Sequence, residues 1–262
     1  MQPVFRLFSI LALALLSSFS HATPQALLGQ LHEIRLNSTN AITNFYMFSG
    51  LDADKKYEKR IDQSVKKATQ ALTEAEGLAA NNKMQDDLVA IKKTWEQFDK
   101  LLKANTSDIL KQGFADIRLV DEMGRTNDNL TVQIEAAYRK LQDSSGIKPN
   151  PAIQEARELA LLMEQMTSQY ALRGTTSLGH VFSGNTTVDL PTMASTFKTK
   201  LTELDKKVRS DKTRLLMDNI HSKWAFIEER IRNFNENTVP FLVVSYNDRI
   251  VEHLHELEDL IQ

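Results

Sequence analysis

The sequence has no cysteine, and only six prolines and nine glycines among 262 residues. Without thiols there is no disulfide framework, no thiolate metal cluster and no covalent haem attachment. An extracellular animal protein of this length usually carries disulfides, whereas a chain this long buries enough apolar surface to do without them. Glycine-rich phosphate loops, a Gly-x-Ser-x-Gly elbow and a His-Glu-x-x-His zinc motif are all missing, so a non-enzymatic protein without a cofactor is expected. There is no block of like charge, and the formal net charge is -2; phosphate neutralisation needs a basic surface, so nucleic acid is not expected as a partner.

Long hydrophobic stretches are equally scarce. Leu7–Leu16 is a ten-residue apolar run, preceded by Arg6 and followed by Ser20-His21-Ala22. A membrane-spanning helix needs about 20 such residues, whereas a positive start, a short apolar run and a small-x-small end form a secretory leader. Residues 1–22 are therefore read as a signal peptide, cleaved near Ala22. No cysteine follows the run, which speaks against a lipoprotein. Removing the leader takes away one arginine and no acid, so the 32 basic residues become 31 against 34 acidic ones, a net charge of -3. With no cysteine and no further apolar span, the mature chain is expected to be soluble and periplasmic.

Proline is absent from Gln25 to Lys148, and that stretch is rich in Ala, Leu, Lys, Glu and Gln, which lose little rotamer freedom in a helix. Breaks are expected at Ser49-Gly50, Gly77–Lys83, Asn105–Gly113 and Ser144-Ser145-Gly146 before Pro149 and Pro151. The same order then recurs. Ile91, Trp95 and Phe98 reappear as Ile220, Trp224 and Ile227, and Leu72-Thr73-Glu74 as Leu201-Thr202-Glu203, all at an offset of 129. Phe48-Ser49-Gly50 is matched by Phe182-Ser183-Gly184 and Asn127-Asp128 by Asn247-Asp248, so the offset drifts between matched blocks. Apolar stripes at helical spacing, such as Ile250, Leu254, Leu257 and Ile261, require partner helices. The expected fold is all-α: two tandem up-down four-helix bundles from an internal duplication, residues 23–145 and 146–262.

Tryptophan at equivalent positions of the third helix is expected in the core. Glu252 with His255, and Asp218 with His221, have the Glu-x-x-His type of spacing of di-iron bundles. Glu252 and His255 point away from the apolar stripe of their helix, towards water, and no matching inward glutamates are evident, so no metal is expected. The first helix of each unit is different, because polar residues interrupt what should be core: Arg35-Leu36-Asn37-Ser38-Thr39-Asn40 and Gln165-Met166-Thr167-Ser168-Gln169-Tyr170, with Arg173 a turn later. Such groups must find partners, either in their own helix or in a ligand.

Arg35-Leu36-x-Ser38 and Met166-x-Ser168-Gln169, together with a Trp on the third helix, resemble the helical sensor module at the extracytoplasmic end of the type IV pilus chemotaxis transducer and of the nitrate/nitrite sensor kinases. Their first helix carries Gln-Arg-Met-Leu-Ser-Gln-Arg, an aliphatic residue and Ala. Asn40 and Tyr170 stand at the box's second Arg. The tandem arrangement is also similar to the bimodular helical sensor domains of some chemoreceptors. The resemblance implies a sensor for chemotaxis or signal transduction that binds a small anionic ligand through Arg35, Ser38, Asn40, Ser168, Gln169 and Arg173, in a bundle that works as a homodimer in the nitrate sensors. The chain stops after the second unit, so the signal is expected to pass to a membrane receptor or envelope protein. The rival expectation is a non-enzymatic envelope scaffold that binds another protein along a helical groove.

Overall fold

The structure, a computed structural model, describes residues 24–147, 149–175 and 189–261. The leader reading at residues 1–22 and the Phe182-Ser183-Gly184 landmark lie outside them. Among the described residues the fold is all-α, with helices α1 (Pro24–Gly50), α2 (Lys55–Asn82), α3 (Gln85–Gln112), α4 (Ile117–Ser145), α5 (Pro151–Thr175), α6 (Leu190–Val208), α7 (Asp211–Arg232) and α8 (Pro240–Ile261). None is long and apolar enough to cross a membrane.

Local chemistry sets the boundaries. Asp54, Asp116 and Asp189 cap α2, α4 and α6 by accepting from backbone N–H groups of the first turn, and Ser210 forms a capping box with Thr213 on α7. Gly113 and Gly146 end α3 and α4 with φ of 85° and 64°, a left-handed conformation that glycine adopts without steric cost. Two expected breaks fall at the far ends of their ranges: α2 runs through Gly77 to Asn82, with Lys83 as its left-handed cap, and α3 runs through Asn105 to Gln112, with Gly113 as its cap. The Asn105 amide donates to the Leu119 carbonyl at 3.1 Å, a tertiary bond that outweighs its local turn preference.

Helices α1 to α4 pack on one another, and α5 to α8 do the same. Each group encloses an apolar core. The paired landmarks occupy equivalent places: Trp95 on α3 and Trp224 on α7 are both buried, as are Leu72 on α2 and Leu201 on α6. The Trp224 ring lies 4.4 Å from that of Phe197, tilted by 40°.

The two groups meet through α1 and α5. Gly29 approaches Arg157, Asn40 bonds Glu164, and the Tyr46 carbonyl accepts from Thr175 Oγ1 at 3.0 Å. Positions on both helices climb together, so α1 and α5 run parallel and the bundles lie side by side. Surrounded by α2, α3, α4 and α5, α1 buries 18 of its 27 residues, against 8 of 28 for α2. That explains why its sequence lacks a single apolar stripe: it has no solvent face to mark. The cores also interlock, the first taking in Ala171 and Val244 and the second Leu36.

At the C-terminal end of this seam the helices touch. A Cβ on Gly50 would stand 2.1 Å from Thr175 Cβ and 2.4 Å from its carbonyl oxygen, whereas one on Gly77 would meet nothing within 4 Å. Gly50→Ala should therefore lower stability by about 1–3 kcal/mol through overpacking, while Gly77→Ala should raise it by up to about 1 kcal/mol through helix propensity. Urea denaturation of both variants checks the contrast, and a neutral Gly50→Ala would contradict the close approach.

Candidate functional site

Beside the α1–α5 seam lies a cleft of about 610 Å³, bordered by α1, α2, α5 and α8. At its inner side Asn40 of α1 donates from Nδ2 to Glu164 Oε1 of α5 at 3.0 Å, while its Oδ1 accepts from Ser64 of α2 at 2.7 Å and from Asn44 at 2.9 Å. Asn247 of α8 donates to the same Glu164 Oε1 at 2.8 Å. Three helices thus meet at one carboxyl group, and α2 joins them through Ser64 and Asn40.

That group is short of partners. Glu164 is buried, and its Oε2 has none; Asn247 Oδ1 and Asn44 Oδ1 are likewise buried and unpartnered. Burial raises the Glu164 carboxyl to about 7, assisted by Asp248 and opposed by the amide hydrogen bonds and by Arg60. Across the cleft Arg60 of α2 holds Asp248 of α8 at 2.6 Å. Glu33, Glu164, Asp248, Glu252, Glu256 and Asp259 face only Arg60, Lys67 and His255 among the cleft's ionisable residues, so the lining is acidic.

The other expected site residues are dispersed. Arg35 is buried and points into the first bundle, paired with Glu135 of α4 and lying 5.1 Å from the Tyr138 ring centre. Ser38 donates to the Arg35 carbonyl of its own helix at 3.0 Å, the local bonding that Ser and Thr commonly adopt. Ser168 and Gln169 border a smaller cleft, of about 110 Å³, on the opposite side of the seam, with Asn127 and Asp128 of α4. Exchanging the units carries Asn127-Asp128 onto Asn247-Asp248, so the two clefts correspond, but no glutamate lines the second floor. There Asp128 is raised by desolvation. Arg173 lies apart from both, 4.5 Å from the Phe234 ring centre, with its guanidinium depressed by burial.

Sequence reasoning found Asn40 but missed Glu164, Ser64 and Asn247. A signal existed: Ala160, Glu164, Thr167 and Ala171 share one face of α5, a small-residue stripe interrupted by an acid. His255 also departs from expectation. It is turned to water only in part, its side chain 38% exposed, because α8 packs along the seam and sets its ring 6.2 Å from buried His32. Glu252 is exposed as expected. His32 itself is held well below its ordinary value by burial, then by Arg35, Arg157 and His255. Among the described residues no cluster of three or more His, Cys, Asp or Glu side chains is arranged to hold a metal ion. No family model, curated protein or solved structure matches the chain.

The raised Glu164 carboxyl has a defined effect on stability. Below the ordinary glutamate range both folded and unfolded states hold the proton. As pH rises towards 7 the unfolded chain releases it first, so stability falls through that window and then levels off. Glu164→Gln should therefore gain on wild type by an amount on the order of 3 kcal/mol between pH 4.5 and 8. Chemical denaturation of both proteins across that range checks it; a pH-independent difference would contradict the burial of the acid.

Proposed function

We propose that this protein is an exported, non-enzymatic helical receptor of the sensor type, which holds a small molecule in the cleft between its two bundles and passes the signal to a separate envelope partner. One observation carries the reading: a buried carboxyl group with a vacant oxygen on the floor of a sizeable cleft. Leaving a buried ionisable group without a full set of partners is costly. Sites that break the rules of stable packing are where function is to be sought, and the cleft volume falls in the ordinary range for small-molecule sites.

The lining bears on which ligand. Arg35, to which the sensor resemblance assigns an anion, is already engaged by Glu135, and the cleft is predominantly acidic. These charges favour a cationic or zwitterionic molecule over the anion that the resemblance implies. Export rests on the leader-like segment, and the sensor role on the incomplete helix boxes and the tandem arrangement.

A thermal-shift screen of amines, carboxylates, nitrate and neutral solutes should find at least one class that raises the melting temperature. A ligand at about 100 times its Kd adds ~2.7 kcal/mol, which for a chain of this size is a shift of several degrees. Unchanged melting across every class would leave the envelope-scaffold reading in its place.

A further inference from the structure

Glu164 lines the cleft and keeps one buried oxygen acceptor, Oε2, without a donor. Two more buried acceptors, Asn247 Oδ1 and Asn44 Oδ1, lie behind the cleft wall in the same network: Asn247 and Asn40 both donate to Glu164 Oε1, and Asn44 donates to Asn40 Oδ1. The amide nitrogens of Asn40, Asn44 and Asn247 and the Ser64 hydroxyl each already donate to an oxygen within this network or its helices. What such a floor lacks is a positively charged group with several N–H donors. An alkylammonium head has three donors and no acceptor, and its hydrogen bonds to a carboxylate are charge-assisted. A free carboxylate, nitrate or phosphate would bring only acceptors against acceptors.

We propose that the cleft binds a small organic cation through a primary ammonium group, which donates to the vacant Oε2 of Glu164. This deepens the receptor reading and rests on it. The rest of the molecule would occupy the outer cleft, where Leu36 and Val251 are apolar and Asp248, Glu252 and Glu256 are acidic. Oε2 is fully shielded, so entry requires local opening, and the Arg60–Asp248 pair spanning α2 and α8 is the contact that stands across the way.

Binding is coupled to a proton. Groups facing Glu164 are Asp248 on α8, Arg60 on α2 and the amides of Asn40 and Asn247, with Lys67, His255, Glu252 and Glu33 further out. Burial keeps the acid half protonated near pH 7, and a cation binds its ionised form. Affinity for the ammonium should therefore rise about tenfold from pH 6 to pH 8.

The test is isothermal titration of the full protein with 1,4-diaminobutane and n-butylamine, against sodium citrate, sodium nitrate and sodium chloride. The expected result is binding of the amines alone, about tenfold tighter at pH 8 than at pH 6, with proton release revealed by heats that depend on the buffer. Glu164→Gln keeps an oxygen for Asn40 and Asn247 but should weaken amine binding at least tenfold and abolish its pH dependence, whereas His221→Gln, on α7 outside the cleft, should retain both. Citrate or nitrate binding without amine binding would overturn the ammonium assignment while leaving the receptor reading intact. So would equal amine affinity in Glu164→Gln, pH-independent binding to wild type, or an equal response to sodium chloride. No heat from any probe, together with unchanged melting across the wider screen, would overturn both.

Discussion

The parallel packing of α1 on α5 is the contact from which the remaining architecture follows. Each helix closes its own bundle and also faces the other, so neither has a wide surface to give to water. Apolar packing alone does not fill this seam. Leu36 crosses into the second core, and Ala171 and Val244 into the first, while polar side chains occupy the remaining positions and must be satisfied inside the protein. Close approach at Gly50 and Thr175 fixes one end of the pair. Further along, beside the Asn40–Glu164 bond, the flanking α2 and α8 complete a cleft.

Two buried ionisable groups on these helices are treated in opposite ways. Arg35 receives a charge partner in Glu135 and an aromatic face in Tyr138, with its Nε alone left without an acceptor. Glu164 receives amide donors on one oxygen and nothing on the other. A guanidinium stays charged under nearly any burial, so it must be paired; a carboxyl can instead take up a proton and become neutral. The first group is thereby committed to structure, and the second is left free to change state when something enters. This difference points to Glu164, rather than Arg35, as the centre of the site.

Much of the architecture was legible in the sequence. The missing proline, the helix-forming composition and the duplicated Trp stripes gave the helices and their order, because such signals are local or periodic. The breaks expected over Gly77–Lys83 and Asn105–Gly113 come at the far ends of those ranges, at Lys83 and Gly113, because Gly77 and Asn105 favour turns locally yet the helices run through them. The polar first helix was recognised as anomalous, and Asn40 was picked out with it. Ser38 belonged to the same run but bonds to its own backbone, a distinction that spacing does not reveal. Glu164 was missed because its environment is made by residues 124 and 83 positions away, and its burial arises only when the two bundles dock. The side-by-side arrangement, which local patterning leaves open, is thus what creates the site.

The most direct test of this account is the carboxyl carbon resonance of Glu164, assigned by comparison with Glu164→Gln and followed by NMR across pH 4 to 9 in the unliganded protein. A midpoint near 7 is expected of an acid buried at the seam among amides, with a second oxygen left vacant. A midpoint in the ordinary glutamate range would mean that water or a cationic side chain already serves that oxygen, and the central claim would be contradicted.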